Sequence, residues 1–166
     1  MKVKDNLKCE GCPLAKLFPD NNFVPPTMGP SLRLVIGEAP GEDESIQMKP
    51  FVGGSGRVLD MLLRKAGIQR ESLTVLNTLQ CRPKENIYPT DPAARGYIQI
   101  KDGEEAVRHC YREYVRPVLE SRPWNRVDIV GAKALRLLTG TADITKWRGS
   151  PVEIDTEEID KRMGVK

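Results

Sequence analysis

The chain lacks several things, and each absence narrows what it can be. No apolar run approaches the ~18–20 residues of a membrane span. The opening residues, MKVKDNLKCEGC, carry no hydrophobic leader, so the chain reads as a cytoplasmic protein without a membrane partner. There is no internal repeat and no low-complexity segment. Neither G-x-G-x-x-G nor G-K-[ST] occurs, which excludes a dinucleotide fingerprint and a phosphate-binding P-loop. The C-x2-C pair at Cys9 and Cys12 is not repeated, which argues against a zinc ribbon, since that fold needs two such knuckles. The one histidine, His109, falls beside Cys110 in a predicted helix and reads as a surface residue.

What remains is a chain of 166 residues, 30% charged and 39% apolar, long enough for one domain with its own core. A net charge of +3 does not by itself identify a nucleic-acid binder. The charge is uneven: residues 153–166 hold five acids and three bases, an acidic tail on a more basic body. Disulfides are not expected among Cys9, Cys12, Cys81 and Cys110 in a cytosolic chain. The C-x2-C spacing lets two thiolates face one metal, with Cys81 and Cys110 joining from separate elements; incidental, inert thiols are the other reading. No βαβ pattern surrounds Cys9, so a thioredoxin-type pair is disfavoured.

The apolar runs LRLVIG, LTVLN (73–77) and RVDIVG (126–131) read as buried strands. Between them, SGRVLDMLLRKAG reads as a helix with Val58, Leu59, Leu62, Leu63 and Ala66 on one face, Ser55 as its cap and Gly67 as its stop. Residues 103–120 and AKALRLLTG read as further helices. Apolar rather than alternating strands, separated by helices, predict an α/β fold with a parallel sheet covered on its faces. Ligands of such sheets sit at the carboxyl ends of the strands, here GEAPG, NTLQC and GAKA.

Those ends carry the candidate chemistry. Glu38 follows the first strand directly. Phe51 lies in PFVGGSG, between glycine turns that let backbone approach a ligand; it is either a platform for a planar group or an ordinary core side chain. Asn77 ends the second strand with an amide that both donates and accepts, which suits a pyrimidine edge, although Asn is also a common strand-end residue. The glycines before the helix leave N–H groups that either hold a phosphate or belong to an ordinary helix start.

Taken together, GEAPGEDE, PFVGGSGRVLDMLL, NTLQCRPKEN, the early C-x2-C and WRG at 147–149 resemble the uracil-DNA glycosylase superfamily. The likeness is closest to its iron–sulfur family 4 enzymes and to glycosylase-like domains linked to phage DNA polymerases, and it runs from Cys9 to about Gly149. The resemblance implies a three-layer α/β/α fold around a short parallel sheet, with four strands in the family and the last missing or incomplete here. It implies a [4Fe–4S] cluster on Cys9, Cys12, Cys81 and Cys110, although the stretch between Cys81 and Cys110 is longer than usual. Phe51 matches the aromatic that stacks on the flipped uracil, Asn77 the amide that reads its edge, and Ala39 with Glu38 the base-side turn of the first motif. Glu44 and Asn86 match further polar residues and join Glu38 as catalytic candidates. The implied partner is uracil-containing DNA, single- or double-stranded, bound by a monomer.

The family's His-Pro-Ser motif and its basic loop should follow WRG soon after, and residues 150–166 contain neither. The sequence therefore reads as a single domain cut before the last strand, or as a shortened homologue. Either way, uracil release is expected to be slower than from a chain extended through that motif. Two other functions stand beside the glycosylase. One is a non-catalytic Fe–S DNA-binding module of a phage or prokaryotic replication protein, whose binding would weaken steeply with salt. The other is a redox Fe–S protein without affinity for uracil.

Overall fold

The computed structural model of the chain describes residues 1–165. Three short strands form its centre: β1 (Arg33–Gly37), β2 (Thr74–Asn77) and β3 (Arg126–Ile129), in the order β2-β1-β3, all parallel. The register sets Val35 beside Val75 and Ile36 beside Leu76 on one side of β1, and Ile36 beside Ile129 on the other. β1 and β2 are buried along their apolar residues, as their sequences predict, while β3 at the edge is only half-buried.

Alternation along β1 divides the interior in two. Leu34, Ile36 and Leu76 join the larger core with Val107 of α4 (Ile100–Cys110), Tyr111, Tyr114 and Val115 of the π-helical turn Tyr111–Val115, Leu119 of α5 (Arg116–Glu120), and Leu137 and Leu138 of α6 (Ala132–Thr139). Val35 and Val75 form a smaller core with Phe51, Leu63 and Leu73, the first two of these coming from the turn before α3 and from α3 (Gly54–Lys65). Helices thus cover both faces, with α1 (Pro13–Leu17) packed on α4 and α7 (Ile144–Trp147) following α6, which is the expected α/β/α layering with three strands among the described residues.

Three local expectations change. On α3, Leu63 is buried and Leu59 partly so, whereas Val58, Leu62 and Ala66 are exposed; the covered stripe is narrower than the sequence pattern. Ser55 does not cap α3, because Gly53 occupies the N-cap position, while Gly67 (φ 66°) follows the last turn as expected. His109 is buried rather than at the surface, with Nε2 2.7 Å from the Lys8 carbonyl oxygen, a bond that ties α4 to the N-terminal segment.

The acidic C-terminal stretch is also structured. Asp155 caps α8 (Thr156–Met163) by accepting from the N–H groups of Glu157 and Glu158. Ile159 is fully buried in the larger core. Asp160 accepts from the Tyr111 hydroxyl at 2.6 Å and from Arg116 Nε at 3.0 Å, and Arg162 donates to the carbonyls of Leu137 and Leu138 at the C-terminal end of α6. No helix among the described residues is long and apolar enough to cross a membrane.

If α8 is a true part of the core, Ile159→Ala should destabilise the protein by about 2–5 kcal/mol, the usual range for truncating a buried isoleucine. Glu157→Ala, on the exposed face of the same helix, should fall within about 0.5 kcal/mol of the parent. Urea unfolding of the two variants checks this, and equal midpoints would contradict the docking.

Candidate active site

The carboxyl ends of the three strands open on a cavity of about 640 Å³. Glu38, Ala39, Glu44, Phe51, Asn77 and Asn86 all line it, so the six residues singled out in the sequence converge on one place. Glu42, Asp43, Gly53, Gly54, Val130 and Gly131 complete much of the wall.

Gly37 shapes the floor. A Cβ there would meet the Phe51 ring (2.5 Å to Cζ) and the Asn77 side-chain oxygen, so the last residue of β1 has to be glycine for the ring and the amide to close over it. Asn77 is only 3% exposed, and its side chain makes no hydrogen bond within the described residues. Its amide atoms stay accessible through the cavity, with donors and acceptor spare toward the open space.

Phe51 is buried at the cavity edge rather than displayed on the surface, and its backbone is left-handed (φ 54°), a conformation that is rare for an aromatic residue. The surroundings hold it there. Glu44, buried in the short helix α2 (Glu42–Gln47), accepts from Val52 N at 2.9 Å, Gly53 N at 2.7 Å and Gly41 N at 3.0 Å. A Cβ at Gly56 would overlap the Phe51 carbonyl, so a glycine one turn into α3 is what admits the bend. With three backbone donors on its two oxygens, Glu44 is built as a staple between the loop after β1 and the Phe51 turn. Gly41 and Glu44 keep the spacing of a capping box, but glycine has no side chain to complete it, so the sequence alone does not mark that role.

Glu38 is placed differently. Its Oε1 accepts from Lys133 N at 2.8 Å, at the start of α6, and Gly131 (φ 107°) passes so close to the carboxyl that a side chain there would collide with it. Its other oxygen makes no hydrogen bond among the described residues. The Glu38 backbone carbonyl accepts from Thr78 Oγ1 at 2.6 Å, and Thr78 shares a second bond with the buried Tyr88 hydroxyl. Asn86 stands on the rim, exposed and left-handed (φ 60°), and accepts from Arg82 Nε at 2.8 Å; Arg82 also reaches Glu42. Across the rim, Lys133 pairs with Asp91, whose carboxyl is held below its ordinary range by the Ala93 N–H and then by Lys133.

The four cysteines lie in the larger core, all buried and none disulfide-bonded. Burial pushes every thiol above its usual range, and the negative charge of neighbouring cysteines raises Cys9, Cys81 and Cys110 further. Backbone N–H groups of Ala15 and Leu14 act in the opposite direction at Cys12, as does that of Gln80 at Cys110. Cys9 Sγ lies 3.4 Å from the Tyr114 hydroxyl. Among the described residues, no three His, Cys, Asp or Glu side chains are drawn together for a single metal ion.

Comparison with known proteins agrees with this geometry. The family model described as the uracil DNA glycosylase superfamily matches residues 26–160. A protein named type-4 uracil-DNA glycosylase from Archaeoglobus fulgidus is 35% identical over 159 residues, which is 92% of this chain and 72% of that protein. Its namesake from Thermotoga maritima is 33% identical over 88% of this chain and 69% of its own length, and that from Pyrobaculum aerophilum 30% identical over 80% and 61%. The match extends from the approach to β1 as far as α8, across every strand and the whole cavity wall, and the chain belongs to the uracil DNA glycosylase superfamily.

Proposed function

We propose that the chain is a uracil-DNA glycosylase: it takes an extruded uracil into the cavity between Phe51 and Asn77 and hydrolyses the bond between base and sugar. The observation that carries the reading is Asn77, a residue only 3% exposed whose side-chain amide makes no hydrogen bond among the described residues and opens on the cavity beside the Phe51 ring. A uracil edge offers the acceptor and donor such an amide lacks, and every base has a face for an aromatic platform. The comparisons favour this reading over the non-catalytic module and the redox protein.

The residues divide the work. The bond breaks toward a sugar cation and a uracil anion. Asn77 donates to the departing base, and Phe51 supports its ring. Glu38, with Oε1 fixed by the Lys133 N–H, turns its free oxygen to the water that attacks the sugar carbon and stabilises the cation forming there. Ala39 continues the base-side turn. Glu44 acts as a positioning residue, since its oxygens are committed to backbone. Asn86, with Arg82, borders the path by which the nucleotide enters.

The cysteines suit a [4Fe–4S] group. The donor set is thiolate only, it is walled by apolar and aromatic side chains, and backbone N–H groups stand at two of the sulfurs. Cys9, Cys12, Cys81 and Cys110 would hold the cluster, which would tie the N-terminal segment to the loop after β2 and to α4. Deprotonating four buried thiols is unfavourable without a metal, so binding the cluster and consolidating this half of the core are coupled.

Two outcomes follow. Asn77→Asp should lower single-turnover release of uracil by about 10²–10³, the usual loss for a removed anion-stabilising donor. An unchanged rate on a single-uracil oligonucleotide would place the base elsewhere. Protein purified without oxygen should be brown and carry about four iron atoms and four sulfides per chain, and Cys9→Ala should lose both the colour and part of the thermal stability. A colourless protein holding one zinc would contradict the cluster.

A further inference from the structure

The structure assigns a positioning role to Arg70, a residue outside the cavity wall and outside every motif that points to the site. Phe51 holds a backbone conformation that an aromatic residue rarely adopts, so the groups on either side of it decide whether its ring stays at the cavity. On the following side, Glu44 takes the N–H groups of Val52 and Gly53. On the preceding side, the group that holds the turn is the Arg70 guanidinium, whose NH2 donates to the Pro50 carbonyl at 2.8 Å. Its NH1 pairs with Asp60 of α3. The Arg70 side chain is only 16% exposed, and the planar fork spans both partners at once. Arg70 stands in the turn Arg70–Ser72 that leads into β2, so one side chain links the start of that strand, α3 and the turn that carries Phe51.

The consequence is specific. Without the bond to Pro50, the peptide before Phe51 is free to rotate and the ring leaves the Gly37 floor, while the rest of the fold and the DNA-facing surface are untouched. Arg70 therefore governs how well the protein tells uracil from an ordinary base, not how tightly it holds DNA. This inference rests on the reading of Phe51 as the base platform.

The test is the ratio of affinities for a 20-nucleotide strand containing one uracil and the same strand with thymine, measured by fluorescence anisotropy on the parent, Phe51→Ala, Arg70→Met and the double variant. Arg70→Met should lower the ratio by about five- to tenfold, the net worth of one typical hydrogen bond, and leave thymine-strand affinity unchanged. In the Phe51→Ala background it should lower the ratio no further. Arg70→Lys keeps the charge beside Asp60 but not the fork, and should reproduce the loss; it also serves if the Met variant does not fold. An unchanged ratio in Arg70→Lys or Arg70→Met, or a loss that adds in full to that of Phe51→Ala, overturns the positioning role. If Phe51→Ala itself leaves the ratio intact, the platform reading is what fails.

Discussion

One buried carboxylate holds the two loops of the pocket in register. Glu44 receives three backbone N–H groups, one from its own loop and two from the turn after Phe51. A carboxylate in a nearly dry position needs such donors, and the loops need it, because the N–H groups it satisfies have no strand or helix partner there. With that staple in place, a left-handed aromatic residue, a glycine floor and an unpartnered amide stay within reach of one another. Without it, the turn that carries Phe51 keeps the Arg70 bond to Pro50 and the packing of the ring in the smaller core.

The same economy is visible at the other wall. Glu38 leaves β1 and meets the first turn of α6, where a backbone N–H and a glycine of positive φ leave room for its carboxyl. The strand ends therefore do more than point at a cavity. Two of them contribute a polar group set by a neighbouring residue, Glu38 by the Lys133 N–H of α6 and Asn77 by the close approach of Gly37, while the Phe51 turn is held by Glu44 of α2 and by Arg70. Below them, Thr78 and Tyr88 connect the floor of the site to the core in which the four cysteines lie.

Much of this was legible in the sequence, and the reasons are physical. LRLVIG and LTVLN are continuous apolar runs because both faces of a parallel strand are covered, so β1 and β2 were readable to within a residue. Glu38 and Asn77 could be placed at the carboxyl ends of the strands, and Phe51 in a glycine turn, from the sequence, although each residue type alone left an ordinary structural use open. Three things were not legible. Glu44 looks like any acid of GEDE until its donors are seen. Arg70 acts across twenty positions of chain, and no local pattern marks it. α8 is mostly charged, and its attachment depends on Ile159 and on the pairing of Asp160 with Tyr111 and Arg116, contacts that exist only in three dimensions. The exposed Val58 and Leu62 err in the other direction: helical periodicity predicts a broad apolar face, but the small core on that side of the sheet covers a narrow one.

The central claim is that the spare amide of Asn77 is the group that meets the base. The most direct measurement is the side-chain amide resonance of Asn77 in nitrogen-15-labelled protein, followed as free uracil is added and, separately, as thymine is added. The account predicts that the Asn77 Nδ2–H signals shift saturably with uracil, accompanied by the Phe51 ring, and respond more weakly to thymine. Saturable shifts at other residues, with Asn77 unmoved, would contradict it.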